Sequence, residues 1–428
     1  MRVISEKLIA LSNNKLLESG TIYTLSSIVE KAIPFLLIPV LTRYLTTEEY
    51  GIVSMFTVLV GFALPLIGYN GHSAILRNYF KDSIDIPNYI GNVIYILVGS
   101  TIIAGILLYT FSGTIASFSE LPKDWLWVVL VVAVGQFICD IVLVTWRAQD
   151  KATNYGIFRI LLTSLNIGLA VIFIVLMGYG WEGMVVGKTI AYVKFGMLAL
   201  FLLGRYDLLD FQFNKEYIRH AISYGMPLIP HVLSGLIITM IDRFFITNMV
   251  SLNETGIYSV GYQVGMIIWV LAFSFNKAWV PWLYEKLNEG NNDIKRKIVI
   301  FTYVYFIIII SIAIILSLMA PYFMEILVGK DFYGGTKYIF WIAISYSFNG
   351  MYMMICNYIF YEEKTYILFW LTLFVAGLNI LLNYYFIQNY GAIGAAYSTT
   401  VTYFIQFLAT WNLSSKTYDM PWFTFRKN

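Results

Sequence analysis

The chain has 428 residues, of which 59% are hydrophobic and only 12% charged, and its mean hydropathy is +0.71. A water-soluble domain carries about a quarter charged residues, so the composition excludes one and specifies an integral membrane protein. The formal net charge of +3 is too small to point to nucleic acid, and the two cysteines, Cys139 and Cys356, both lie in apolar runs and imply neither a disulfide nor a metal site.

Residues Met1 to Ser19 mix Arg2, Glu6, Lys7, Lys15 and Glu18 with short apolar pieces. That pattern lacks the long apolar core and small-residue cleavage site of a signal peptide, so the first apolar run is expected to stay in the membrane. About 20 apolar residues make one crossing, and twelve such stretches follow: 20–41, 52–70, 89–111, 125–146, 155–177, 183–203, 227–249, 257–280, 299–320, 338–360, 366–388 and 392–413. The breaks between them, such as Thr46-Thr47-Glu48-Glu49 and Asn389-Tyr390-Gly391, are too short for a soluble domain. The expected fold class is therefore all-α integral membrane with twelve transmembrane helices. With a cytoplasmic N-terminus, eighteen lysines and arginines fall on inner segments and four (Arg43, Lys123, Lys330 and Lys337) on outer ones. By the positive-inside rule this puts both termini in the cytoplasm.

The halves look duplicated. At a constant offset of 211, Tyr155, Gly180, Gly183 and Tyr192 align with Tyr366, Gly391, Gly394 and Tyr403; at an offset of 205, Gly51-Ile52-x-Ser54 aligns with Gly256-Ile257-x-Ser259. Both matches pair spans six apart with the same orientation, which implies two six-helix halves related by a parallel repeat, with the substrate path between them. The organisation expected is an N-terminal half over 1–203, a cytoplasmic amphipathic linker over 204–223 and a C-terminal half over 224–428.

Charges inside spans are the candidate functional groups, because each central one costs about 2.5–3.5 kcal/mol on insertion scales and so faces protein or water. The bases are Lys31, Arg159, Lys188, Lys194, Arg243 and Lys277; the acids are Glu30, Asp140 and Asp242. An interior with that excess of bases suits an anionic substrate and disfavours cationic drugs. Arg159 and Lys277 fall within about one turn of cytoplasmic ends, where snorkelling to headgroups is an equal alternative. Adjacent helical residues point about 100° apart, so neither Asp242 with Arg243 nor Glu30 with Lys31 is expected to pair cleanly. His231, beside Pro230, is either a hydrogen-bonded packing residue or a protonation switch. The histidines at 72, 220 and 231 are scattered and no phosphate-binding glycine-lysine loop occurs. No catalytic constellation, cofactor or metal is expected.

Five pieces carry a resemblance: Pro227-Leu228-Ile229-Pro230-His231-x-Leu233-Ser234, then Asp242-Arg243-x-x-Ile246 and Gly256-x-Tyr258, and also Ala74-Ile75-x-Arg77-x-Tyr79-Phe80 and Ala278-Trp279-x-Pro281. Together they resemble the bacterial polysaccharide flippases that move lipid-linked oligosaccharides of the O-antigen type, members of the multidrug/oligosaccharidyl-lipid/polysaccharide (MOP) superfamily. The resemblance implies the MATE-like fold of that superfamily. The substrate it implies is an undecaprenyl-diphosphate-linked oligosaccharide, moved by alternating access through a cationic cavity of a bacterial inner membrane. It places Arg243 in the cavity, gives Asp242 a neutralising or coupling role, and makes Arg77 an entry-side phosphate contact or equally a positive-inside anchor. On this reading Lys31, Arg77, Arg159, Lys188, Lys194, Arg243 and Lys277 bind substrate, and Glu30, Asp140, His231 and Asp242 are coupling candidates. The partners implied are the lipid-linked glycan, membrane lipids and other polysaccharide-assembly membrane proteins. A drug or metabolite antiporter of the same superfamily is the alternative, and predicts an acid-dominated cavity.

Overall fold

The computed structural model describes residues 35, 37–81 and 83–422. Among them all regular structure is helical and no strand occurs. In hydrocarbon every backbone N–H and C=O must be satisfied within the segment, which leaves helices as the solution for apolar runs of this length. Residues 37–44 are helical and form the described end of the first expected span. The helices that follow are α1 (Thr47–Leu66), α2 (Gly71–Asn78), α3 (Ile86–Thr110), α4 (Ser112–Ser119), α5 (Leu126–Ala148), α6 (Ala152–Val171), α7 (Gly180–Arg205) and α8 (Lys215–Gly225). After these come α9 (Ile229–Met249), α10 (Leu252–Gly265), α11 (Ile267–Asn288), α12 (Asn292–Leu327), α13 (Thr336–Tyr361), α14 (Tyr366–Tyr390) and α15 (Ile393–Thr417).

Among the described residues, ten helical runs are long and apolar enough to cross a bilayer. α15, at 25 residues, matches them in length but is diluted by serine and threonine. Its Ser398, Thr399, Thr402 and Thr410 are buried, and small hydroxyl residues of this kind let membrane helices approach closely. Every expected span from the second onward thus has its helix. α12 outruns its expected span, since 36 residues at 1.5 Å per residue exceed the roughly 30 Å hydrocarbon core. Hydropathy stops at Lys295-Arg296-Lys297, whereas the backbone ladder runs on to the Asn291 cap, whose side chain accepts from the Asp293 N–H at 2.8 Å.

The chain packs as two compact units, one holding the described residues up to Leu45 with Met55–Val232, the other Thr46–Ser54 with the described residues from Leu233. Each has its own core: Phe137, Ile141, Phe158 and Phe195 stand in the first, and Tyr258, Ile342, Met354 and Tyr403 in the second. Inside the second unit the offset-205 motifs meet reciprocally. A Cβ on Gly51 would fall 2.2 Å from the Leu252 carbonyl oxygen, and one on Gly256 would fall 1.8 Å from the Thr47 carbonyl oxygen. Residues 47 and 252, like 51 and 256, differ by 205, so each copy of the motif contributes the same two positions to the crossing.

The linker belongs to the first unit. Its extended part crosses the start of α3, where Asn88 and Asn92 donate to the Gln212 carbonyl at 3.0 and 2.9 Å and Asn92 Oδ1 accepts from the Asn214 N–H at 2.9 Å. Asn214 in turn caps α8 by accepting from the Glu216 N–H. α8 is amphipathic, with Ala221 buried, Ile218, Ile222 and Tyr224 packed on the core, and Lys215 and Arg219 exposed.

Candidate substrate site

Of the in-span charges, Glu30 and Lys31 lie outside the described residues. The rest fall into two arginine–aspartate pairs and three lysines. In the first unit Arg159 Nη1 stands 3.8 Å from Asp140 Oδ1, with about a quarter of each side chain exposed. α6 begins at Ala152, so Arg159 sits seven residues in, about two turns, and faces an acid on α5.

In the second unit the pairing of Asp242 with Arg243 overturns the sequence expectation. Asp242 is 1% exposed and its Oδ1 accepts from both the backbone N–H and Nη1 of Arg243, at 2.8 and 3.0 Å. The Cβ directions diverge as expected, but the long arginine stem leans back toward the helix N-terminus. There Nη1 also donates to the Thr239 carbonyl at 2.9 Å and returns to the neighbouring carboxylate. Burial makes that fold-back worthwhile, because an isolated carboxylate in a low-dielectric interior is far costlier than a bent side chain. Asp242 Oδ2 accepts from the Tyr258 hydroxyl at 2.5 Å, and the Arg243 guanidinium lies 4.3 Å from the Tyr262 ring centroid. The Tyr262 and Tyr346 hydroxyls are 2.6 Å apart. Sequence reading assigned these three tyrosines no role. The available signal was Tyr258 and Tyr262 at i and i+4, on one face of α10.

Lys188, Lys194 and Lys277 have no carboxylate partner among the described residues. Lys188 Nζ is 5.7 Å from the Phe56 ring centroid, Lys277 Nζ is 4.8 Å from that of Phe273, and Lys194 is exposed. Lys277 is exposed and lies eleven residues before the end of α11, which runs on past the expected span to Asn288. Arg77, on α2, is exposed over the Tyr224 ring at 5.6 Å, and His231 is exposed in the first turn of α9. Cys139 and Cys356 are buried free thiols.

A bundle of membrane-crossing helices with a duplicated plan and a buried charge pair defines a multi-pass membrane protein. The chain belongs to the polysaccharide biosynthesis protein family, whose family model matches residues 16–286; the MatE family model matches residues 227–385. Two Haemophilus influenzae proteins are similar over 82% of this chain: Lsg locus putative protein 1, at 24% identity and 86% of its length, and an uncharacterized membrane protein, at 26% identity and 85%. Among solved structures the fold is similar to the lipid II flippase MurJ in an inward closed conformation. The TM-score is 0.73 at 16% identity, over 95% of this chain and 88% of that one. It is also similar to an inward-facing multidrug resistance MATE family transporter of the MOP superfamily, with TM-score 0.67 at 17% identity, over 90% and 94% of the two chains. The fold is that of the MOP superfamily, and the protein is a membrane transporter of that superfamily.

Proposed function

We propose that this protein moves undecaprenyl-diphosphate-linked oligosaccharide repeat units across the bacterial cytoplasmic membrane for surface polysaccharide assembly. The observation that carries the reading is the charge inventory of the spans. Both described in-span acids are taken up by arginines, and Lys188, Lys194 and Lys277 stand in membrane-crossing helices with no carboxylate partner among the described residues. A lysine there is costly unless an anion or water compensates it, and a lipid diphosphate is an anion that a transporter of this family would meet. Membership of the polysaccharide biosynthesis protein family and likeness to a lipid II flippase support the same substrate class. The diphosphate docks on in-span bases, for which Lys188 and Lys194 are the candidates in the first unit and Lys277 and Arg243 those in the second, the lipid tail stays in the bilayer, and the transporter alternates its access with both termini in the cytoplasm. Asp242 is the coupling candidate, since ligand on Arg243 would compete for the guanidinium it now holds.

The test is deletion of the gene in its own host, followed by fractionation of lipid-linked glycans by leaflet and length. Cytoplasmic-side accumulation of a diphosphate-linked repeat unit, reversed by the wild-type chain, is the expected result. The MatE match over 227–385 supports one other reading, an ion-coupled antiporter. Normal surface glycan with heightened sensitivity to cationic dyes would favour it and sink the flippase.

A further inference from the structure

Outside the in-span charges, a second set of cations gathers where α8 docks on the first unit. Three successive left-handed residues, Gly68, Tyr69 and Asn70, with φ of 68°, 49° and 54°, turn the chain from α1 into α2. α8 closes on that turn so tightly that a Cβ on Gly225 would fall 1.9 Å from the Tyr69 carbonyl oxygen. The docking puts Tyr224 beneath Arg77, with 5.6 Å between guanidinium and ring. One turn earlier on the same face of α8, His220 Nδ1 stands 3.0 Å from the Tyr89 hydroxyl, which also receives the Asn78 side-chain amide at 3.4 Å. Tyr89 therefore ties α2, α3 and α8 at one point. Lys81 follows a turn after Arg77, its N–H donating to the Asn78 carbonyl at 3.0 Å; burial, and then the Lys81 and Arg77 charges, hold the His220 pKa below the ordinary histidine value.

Arg77 and Lys81, from α2 and the turn after it, thus stand with His220 of α8, and none of them pairs with a carboxylate among the described residues. Beside them the chain exposes large rings: Phe80 between the two cations is 74% exposed, and Phe213, just before α8, is 72%. Clustered bases next to exposed aromatics at the end of a span have the composition of a site at the headgroup level, where rings enter the acyl boundary and cations meet phosphate.

We propose that Arg77, Lys81 and His220 form a binding site for an anionic lipid phosphate, built by the docking of the linker helix α8. The guanidinium, held over Tyr224, offers paired N–H donors to the phosphate oxygens; Lys81 adds charge, and His220 adds the N–H of its outward nitrogen. The occupant is either a bilayer phospholipid or the polyprenyl diphosphate itself, and only the second source rests on the function proposed above.

The test is native mass spectrometry of the full-length protein in detergent. It is titrated with phosphatidylglycerol, with undecaprenyl diphosphate and with zwitterionic phosphatidylcholine. The wild type is compared with Arg77→Gln/Lys81→Gln and with a charge-matched control, Lys123→Gln/Lys330→Gln. At about fivefold per charge near a membrane surface, the first pair should weaken anionic lipid binding by about 30-fold, leaving the control and phosphatidylcholine unchanged. A drop confined to phosphatidylglycerol assigns the site to a bilayer lipid and stands even if the protein carries no glycan; a drop for undecaprenyl diphosphate makes it an entry site for substrate. Unchanged binding of both anionic lipids, or an equal loss in the control pair, overturns the site and leaves the reading built on the in-span cations untouched.

Discussion

Asp242 Oδ1 and Arg243 Nη1 lie 3.0 Å apart although the residues adjoin in sequence, and the carboxylate's other oxygen is held by Tyr258 on the next helix. The pair is nearly closed to solvent, with side-chain exposures of 2% for the acid and 12% for the base. Removing one partner would strand the other, which costs about 3–5 kcal/mol for a buried pair, whereas removing both relieves most of that. Asp242→Asn and Arg243→Gln should each lower the unfolding midpoint in detergent markedly, and the double variant should be more stable than either predicts by addition. Additive losses would mean the pair is not an energetic unit.

How much of this was legible in the sequence follows from length scales. Spans were readable because an apolar run of fixed length has one membrane solution, and the repeat was readable because Gly51 and Gly256 are small where two backbones cross. Asp242 and Arg243 stood out as charges in an apolar helix. Their mutual pairing did not, because Cβ directions say nothing about where a flexible four-bond stem bends. Tyr258, Tyr262 and Tyr346 were hidden among 33 tyrosines, many with the look of an interfacial belt. The linker's tether escaped notice because Asn88 and Asn92 read as ordinary polar residues at a span's edge, and only the fold shows Gln212 above them.

Tyr258→Phe removes one hydroxyl from the Asp242 carboxylate and nothing else. A hydrogen bond to a charged group is worth about 1.5–3 kcal/mol in water-soluble proteins, and bonds between membrane helices average nearer 0.6 kcal/mol. A loss of about 1 kcal/mol is expected, smaller than that of Asp242→Asn. Thermal unfolding of the three proteins side by side checks the order; a Tyr258→Phe loss as large as that of Asp242→Asn would show that the hydroxyl matters as much as the charge of the carboxylate it holds, and would overturn the order.

The reciprocal glycines make a sharper steric prediction. Gly256→Ala places a methyl 1.8 Å from the Thr47 carbonyl oxygen, and Gly51→Ala places one 2.2 Å from that of Leu252, so a helix must shift in either case. Overpacking of this kind costs about 1–3 kcal/mol. Gly235→Ala, on α9 with no atom within 4 Å of the added carbon, should be neutral or stabilising by up to about 1 kcal/mol. Equal midpoints for Gly256→Ala and Gly235→Ala would count against the crossing.

Arg243→Lys separates charge from geometry. Lysine keeps the positive charge but loses the planar fork that reaches Thr239 and Asp242 together and lies on the Tyr262 ring. Glycan export by the lysine variant should fall between wild type and Arg243→Gln. Full export would leave charge alone as the requirement, and export at the glutamine level would make the fork indispensable.

Lys188 should behave in the opposite sense to the aspartate–arginine pair. Lys188 packs its ammonium over Phe56 without a carboxylate among the described residues, so the folded state bears a desolvation cost with no ionic return. Lys188→Met keeps much of the stem's volume and removes the charge, and should leave the unfolding midpoint level or raise it. If the ammonium is held for an anionic substrate, the same change should cut glycan export severalfold, with stability and activity moving apart as they do where a site is built at the expense of the fold. Export assays and thermal unfolding on matched membranes read both quantities, with Lys277→Met, whose ammonium lies over Phe273, as the counterpart in the second unit. Lost stability with normal export in both variants would make these lysines structural, and the cationic path would then lose two of its proposed contacts.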